Sequence, residues 1–385
     1  MSSQNSSQSP DQQGRKPRVA VVFGGRSSEH AISVVTAGAV LRSIDRSKYE
    51  VLPIGITTDG RWALTADEPE RMAIADRKLP SVEDLADSAG GTVVLPVDPA
   101  NREVVYTEPG VVPKALGEVD VVFPVLHGPY GEDGTLQGLL ELSGIPYVGS
   151  GVLASAVGQD KDYMKRVFTS FGLPVGPYVT IRPREWEHDE SAAREKIVAF
   201  AAEHGWPLFV KPARAGSSIG ITKVDDPSGL DEALKEAQRH DPKVIVEALL
   251  RGREIECGVL EFEDGPRASV PAEIPPVSSH DFYDFEAKYI DSASGLVPAP
   301  LTPEQTAEVQ RLAIEAFEAA SCEGLVRADF FLTEDGTFVI NEINTMPGFT
   351  PISMYPRMWQ ETGVAYPELV DRLIQAALRR STGLR

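Results

Sequence analysis

Apolar residues in this chain follow two rhythms. RVAVVF (18–23) is apolar after its first residue and runs into two glycines. Short unbroken apolar runs bounded by turn residues suit strands that are covered on both faces. EVLPIGI (50–56) and VDVVFPVLHG (119–128) read the same way. Between them the rhythm changes to helical spacing, which predicts a helix from about Glu29 to Arg42. TLQGLLELSG predicts a second helix, and IPYVGS a short strand after it. Strands alternating with helices predict a parallel α/β domain that ends near Ser150. Residues 58–117 are polar and turn-rich, with only a short apolar piece at TVVLPV.

The pattern then shifts. DKDYMKRVFTSFG (160–172) predicts a helix closed by Gly172 and Pro174. WPLFVKPA (206–213), GITKV (220–224), LDEALKEAQRH (230–240) and KVIVEALL (243–250) read as strand, strand, helix, strand, with a glycine-serine loop after the first. A strand at REIECGVLE (253–261), a helix over 302–321 and a hairpin follow. The stretch 275–300 has no periodicity, and irregular segments beyond about 12–15 residues are usually functional. The reading is a disordered Ser/Gln-rich tail (1–16), an α/β domain (17–150), and two α+β domains (151–250 and 251–385).

The hairpin, RADFFLTEDGTFVINEIN (327–344), carries charge among strand-forming residues. Asp335-Gly336 predicts a two-residue type I′ turn. Asp329 then faces Glu342, and Arg327 faces Asn344. Alternation puts these four on one face with Phe331, Phe338 and Ile340, and puts Phe330, Leu332, Val339 and Ile343 on the other. Opposed Cβ atoms lie about 5 Å apart. Two carboxylates that close repel each other unless a cation lies between them. Carboxylate and amide oxygens suit Mg²⁺, which completes its shell with water and substrate phosphates. A solvent-facing edge hairpin is the plainer alternative, so the metal reading requires phosphate-binding elements elsewhere.

KPARAGSSIG (211–220) is one candidate. Gly216 and Gly220 let backbone N–H groups approach an anion, Ser217 and Ser218 add donors, and Lys211 supplies a point charge. GSGVLA (149–154) is a rival, matching a loose dinucleotide fingerprint and hence an NAD-dependent oxidoreductase. That fingerprint wants an acidic residue about 20 positions on, and residues 163–180 contain none. HGPYGEDG (127–134) makes a tight loop at a strand's carboxyl end, the usual ligand crevice of α/β sheets. His127 there suits substrate contact, while Glu132 and Asp133 suit the start of the next helix. Glu29 suits either a helix start or the capture of an ammonium.

Net charge is −20, which argues against nucleic acid or an anionic membrane as partner. Cys257 and Cys322 match no metal or redox spacing, and a reduced cytosolic compartment fits them.

GGRSSEHAIS, HGPYGEDG, KPARAGSSIG, FYDFEAKY, RADF and NEINTMPGFT occur in the order found in D-alanine–D-alanine ligases. The chain resembles that family, within the ATP-grasp superfamily, from Arg18 to its C-terminal helix. Departures are a longer 58–117 segment, Ala215 in the glycine-serine loop, and Met354 after Ser353 where Leu is common. The resemblance implies an ATP-grasp fold, an α/β domain followed by two α+β domains that clasp ATP. It implies ligation of two D-alanines through an acyl phosphate, for cell-wall precursors, in a cytoplasmic homodimer.

By the same resemblance, Asp329, Glu342 and Asn344 hold two Mg²⁺ (or Mn²⁺), with a monovalent cation as a further candidate. Lys161, Lys211, Ser217 and Ser218 meet the phosphates. Glu247, Leu250, Glu254 and Asn341 line the nucleotide site. Arg327 and the Gly348 N–H stabilise the tetrahedral oxyanion. Glu29 and His127 hold the first D-alanine, and Lys288, Ser353 and Met354 the second. Glu29, Ser217 and Tyr289 link a lid at 275–300 to the body, and Tyr289 favours an amine over a hydroxy acid as acceptor. A D-alanine–D-lactate ligase and a catalytically dead ATP- or D-alanine-binding regulator are the remaining alternatives.

Overall fold

The computed structural model describes residues 15–75, 78–86, 90–275 and 295–381. All of the expected tail except Arg15 and Lys16, and the lid motif with Lys288 and Tyr289, therefore lie outside the described residues.

Strand β1 (Arg18–Gly24) pairs in parallel with β2 (Glu50–Ile56). β3 (Trp62–Leu64) adds an antiparallel edge to β2. β4 (Thr92–Val94), β5 (Glu103–Thr107) and β6 (Lys114–Glu118) form a separate antiparallel meander. β7 (Val121–Pro124) then returns beside β1, giving the order β3-β2-β1-β7. The first sheet is thus mixed, because the turn-rich 58–117 segment supplies an edge strand that periodicity did not resolve. IPYVGS makes one parallel bridge, Val122 to Tyr147, rather than a strand. Pro146 has no N–H to give a ladder, and Gly149 turns the chain at φ +95°.

Helix α1 (His30–Ser43) starts directly after Glu29, which occupies its N-cap position. α2 (Thr135–Ser143), α3 (Val152–Gln159) and α4 (Lys161–Ser170) follow. Asp160 caps α4 by accepting from the backbone N–H groups of Asp162 and Tyr163.

β8 (Tyr178–Ile181), β9 (Leu208–Pro212), β10 (Thr222–Val224) and β11 (Val244–Ala248) form an antiparallel sheet ordered β10-β9-β11-β8. Short α5 (Pro183–His188) precedes α6 (Glu190–His204), and α7 (Leu230–His240) lies between β10 and β11. Ala193, Ile197 and Ala201 of α6 pack with Ala233, Leu234 and Ala237 of α7 against Val210, Val244 and Val246. Small alanines make up much of the α6 contact face, so its apolar stripe is weak in sequence.

β12 (Gly252–Phe262), β13 (Gly265–Ala268), β14 (Ala272–Ile274), β15 (Leu325–Thr333) and β16 (Phe338–Asn344) form the last sheet. α8 (Pro303–Ala319) packs beneath it. α9 (Met354–Glu361) leads to α10 (Tyr366–Arg379). α10 crosses back to the first sheet, where Leu369, Leu373 and Ile374 share a core with Val21, Val40 and Phe123. No described helix is long and apolar enough to cross a membrane.

The β15–β16 hairpin corrects the expected turn. Thr333 N–H donates to Thr337 O at 3.0 Å, so the loop is the three residues 334–336, with Gly336 left-handed at φ +86°. The rungs near the turn are therefore Leu332–Phe338, Phe331–Val339 and Phe330–Ile340. A bulge at Asn341 then restores Asp329–Glu342 and Arg327–Asn344. Phe338 and Ile340 consequently face the core, not the charged side as expected, because a one-residue slip exchanges faces.

Candidate active site

A cleft of about 730 Å³ opens between the loops beyond the first mixed sheet, the central antiparallel sheet and the last sheet. Its wall holds Glu29, His127, Lys161, Lys211, Ser217, Ser218, Glu254, Arg327, Asp329, Asn341, Glu342, Asn344, Gly348, Ser353 and Met354. Residues named from segments more than 300 positions apart thus come together. Glu247 and Leu250 stand outside this wall. Glu247 lies behind Lys211, and the Leu250 side chain packs on Gly176.

The hairpin supplies one side. Arg327 donates through Nε and Nη2 to both Asp329 oxygens at 2.7 Å. Its Nε also lies 3.4 Å from Glu256 on β12, the strand partner of Asp329. Asn344 Nδ2 donates to Asp329 Oδ2 at 3.0 Å. Burial opposes the Arg327 charge, but Asp329 and Glu256 outweigh it and raise its pKa further. Glu342 pairs with Lys161 at 3.2 Å. Burial would raise the Glu342 carboxyl, yet Lys161, Lys211 and Arg327 hold it down at about 2.

The central sheet supplies the other side. Lys211 at the end of β9 and Lys165 on α4 both face Glu247, at 2.6 and 3.4 Å. They overcome burial and hold that carboxylate at about 2. Lys161 Nζ reaches back to donate to Ala215 O at 3.0 Å. The loop after β9 is rooted by Arg214, whose backbone N–H and guanidinium both donate to buried Asp241. Ser217 and Ser218 take left-handed φ of 48° and 59°, so consecutive backbone groups turn toward the cleft. Ser217 Oγ donates to Glu29 Oε1 at 2.5 Å, closing the loop onto the N-terminal end of α1.

The HGPYGEDG loop has a second function beyond the one expected. His127 Nδ1–H donates to Met346 O at 3.2 Å, while Glu132 Oε1 accepts from Met346 N–H at 3.1 Å. Glu132 Oε2 also accepts from Gly128 N–H at 2.7 Å. These bonds clamp both backbone groups of Met346, two residues before Gly348. Burial and neighbouring Glu29 push the Glu132 carboxyl up to about 8. Burial lowers the His127 pKa, and its Nε2 has no hydrogen-bond partner among the described residues. Glu132 therefore ties its own loop to the chain just after β16, where the sequence suggested only a helix start. Gly348 sits where an added Cβ would come within 3.2 Å of Ser353 Oγ. Ser353 Oγ accepts from Thr350 N–H at 3.2 Å.

Sequence reasoning passed over Lys165, Glu132 and Glu256. Two of them carried a readable signal. Lys165 is four residues after Lys161, on the same helix face. Glu256 shares the period-two face of Glu254. Glu132 carried none, since its partner is 214 residues away.

The rival loop at Gly149 is a packed turn. Its carbonyl accepts from Arg380 Nη1 at 3.1 Å, and a Cβ added at Gly324 would come within 3.2 Å of the Gly149 backbone nitrogen. Among the described residues no group of three or more His, Cys, Asp or Glu side chains is arranged to hold a metal alone. The hairpin face offers two carboxylates and an amide, the oxygen donors that suit a partly hydrated Mg²⁺.

Family models described as the D-ala D-ala ligase N-terminus and C-terminus match residues 18–150 and 167–375. A D-alanine–D-alanine ligase of Streptomyces avermitilis is 86% identical over all of both chains. One from Kineococcus radiotolerans is 58% identical, covering 96% of this chain and 99% of its own. Among solved structures, the D-alanine-D-alanine ligase of Coxiella burnetii is 36% identical with a TM-score of 0.78, covering 94% of each chain. The VanG D-Ala:D-Ser ligase of Enterococcus faecalis is 34% identical with a TM-score of 0.80, covering 94% of this chain and 100% of its own.

Proposed function

The chain belongs to the D-alanine–D-alanine ligase family, an ATP-grasp enzyme, and we propose a division of labour for the residues of its cleft. The reaction is ATP-dependent ligation of two D-alanines to D-alanyl-D-alanine for peptidoglycan precursors. The carboxylate of the first D-alanine takes the γ-phosphoryl group of ATP. The amine of the second attacks that acyl phosphate, and phosphate leaves. Such chemistry asks for positioning and charge neutralisation more than covalent help.

Lys161 and Lys211 meet the phosphates of ATP from the central sheet, and the Gly216–Ser218 backbone covers them. Asp329, Glu342 and Asn344 would hold Mg²⁺, or Mn²⁺, which would supply charge neutralisation for the phosphates of ATP. Glu254, Asn341, Leu250 and Glu247 serve the nucleoside side. Glu29 takes the ammonium of the first D-alanine, with His127 Nε2 beside it. Arg327 and the Gly348 N–H meet the oxyanion of the tetrahedral intermediate. Ser353 takes the carboxylate of the second D-alanine beside Met354. Lys288 and Tyr289 keep the roles that the family resemblance gives them.

One observation carries this reading. The Asp329–Glu342 pair and two lysines, Lys161 and Lys211, line one cleft, with Glu29 and Ser217 joined at its N-terminal wall. We further propose a cytoplasmic homodimer. The two free, buried cysteines are compatible with a reducing compartment.

The acceptor is the open chemical choice, since a D-Ala:D-Ser ligase shares the fold. Phosphate release from Mg·ATP is measured with D-alanine alone, then with D-serine or D-lactate added, and the products are weighed. D-alanyl-D-alanine as the main product is expected. Preferential formation of a mixed product would replace the acceptor assignment.

A further inference from the structure

Three lysines share two carboxylates, buried Glu247 and half-buried Glu342. Lys211 Nζ is 2.6 Å from one oxygen of Glu247, and Lys165 Nζ is 3.4 Å from the other. Lys161 serves Glu342. Lys161 and Lys211 stand on the cleft wall, while Lys165 lies behind it, 2% exposed. Lys165 Nζ also donates to Asn341 O at 3.1 Å, so it is held between α4, β11 and the bulge of β16.

Charge accounting separates these cations. Lys211, once it turns to a nucleotide phosphate, no longer neutralises Glu247 fully. A buried carboxylate that loses its counter-ion is strongly destabilising, so another cation must remain. We propose that Lys165 is the resident counter-ion of Glu247, a positioning residue that keeps this carboxylate ionised and in place for the nucleoside while Lys211 serves the phosphates. The inference rests on the assignment of Lys211 to phosphate.

Several features fit. Lys165 lies 3.4 Å from Glu247 Oε1, a buried oxygen with no hydrogen-bond partner among the described residues, so the lysine answers its charge as an ion pair. Lys165 is one helical turn from Lys161, so its stem is ordered with α4 whatever the cleft holds. Burial and neighbouring Lys211 weaken the hold of Lys165 on its proton, and Glu247 opposes them. Movement of Lys211 toward phosphate relieves the second of those pressures. The arrangement strengthens the Lys165–Glu247 pair when the nucleotide arrives.

The test compares the full-length protein with Lys165→Met, Lys165→Arg, Glu247→Gln, Lys165→Met/Glu247→Gln and Lys211→Met. Readouts are the KM for ATP, kcat at saturating ATP, and the Kd for Mg·ADP by calorimetry. Lys165→Met is expected to raise KM and Kd about tenfold or more, as when one partner of a buried charge pair is removed. kcat at saturation should stay within about twofold, because Lys165 touches no reacting atom. Lys165→Arg should recover most of the affinity. In the Glu247→Gln background, Lys165→Met should add nothing, because the charge it answers is gone.

A purely structural lysine would lower the melting temperature and the active fraction without this KM-against-kcat split. If Lys165→Met alone fails to fold, the double variant removes both buried charges and is compared with Glu247→Gln. Wild-type nucleotide affinity in Lys165→Met, with affinity lost in Lys211→Met, would overturn the inference and leave the Lys211 assignment standing. So would a full additional loss in the double variant. Wild-type affinity in Lys211→Met would instead overturn the phosphate assignment.

Discussion

The β15–β16 hairpin and the glycine-serine loop face each other across the cleft and place their groups by opposite means. The hairpin positions charge through paired backbone. Its Asp329–Glu342 and Arg327–Asn344 rungs are set by the ladder, and its other face is anchored by Ala328, Phe330, Ile340 and Ile343 in the core. The loop has no such partner. It is held at its root by the Arg214–Asp241 pair and at its tip by the Ser217–Glu29 bond, with two serines in a conformation that L-residues adopt at a cost. A ladder is rigid before any ligand arrives. A loop pinned at two points can close over one. Fixed charge sits on the first, and donors that must follow a substrate sit on the second.

Five experiments press on this contrast. The largest effect should come from the rigid side. Arg327→Met should lower kcat about 10³-fold, the usual loss of an oxyanion donor, and Arg327→Lys should not restore it because the guanidinium binds Asp329 bidentately. Steady-state kinetics with D-alanine decides this, and a change confined to KM would count against it.

On the loop side, Ser217→Ala removes the hydrogen bond from the tip to Glu29. A bond to a charged group is worth roughly 10- to 100-fold, expected in kcat/KM for the first D-alanine with ADP affinity unchanged. Equal losses for both ligands would mean that the loop collapses rather than unlatches. At the root, Asp241→Asn weakens the bidentate hold on Arg214 and should raise the KM for ATP about tenfold. Unaltered ATP kinetics would show that the tip alone orders the loop.

The pH dependence reads the ion pairs behind the loop, where Lys211 and Lys165 meet Glu247. Glu247 is held at about 2, below the ordinary 4.5. Its folded value is depressed, so its stabilising contribution is complete above about pH 4.5 and is lost as acid carries the pH toward about 2. Glu247→Gln should flatten the fall in melting temperature over that window. An unchanged acid limb would assign the loss to other carboxylates. The smallest effect belongs to the turn. Deleting Glu334 converts the three-residue loop into the Asp335-Gly336 pair without touching the Thr333–Thr337 rung, and activity should stay within about twofold. A large loss would show that the turn, not the bulge, sets the register at Asp329.

Much of the hairpin was legible because its cues are local. Asp-Gly marks the turn, and period two assigns faces. The bulge was not legible, since an extra residue changes parity only where the partner strand and core demand it. Phe338 and Ile340 pass to the core, and Asn341 stays unpaired beside Glu342. The turn-rich 58–117 segment hid a meander and an edge strand for a similar reason. Its strands are three to five residues long, too short for a period to declare itself.

The sequence by itself determined the main strands, the helices with strong apolar stripes, and the chemical identity of most of the groups that line the cleft. These follow from nearest-neighbour sterics, turn chemistry and hydrophobic period, all properties of short stretches. Only the tertiary structure decided which charge answers which. Lys165 and Lys211 meet at Glu247, Glu132 and His127 grip Met346, and α10 closes the core of a sheet that begins more than 300 residues earlier. A charge's partner depends on distance and burial, and both arise only when remote segments share one low-dielectric interior.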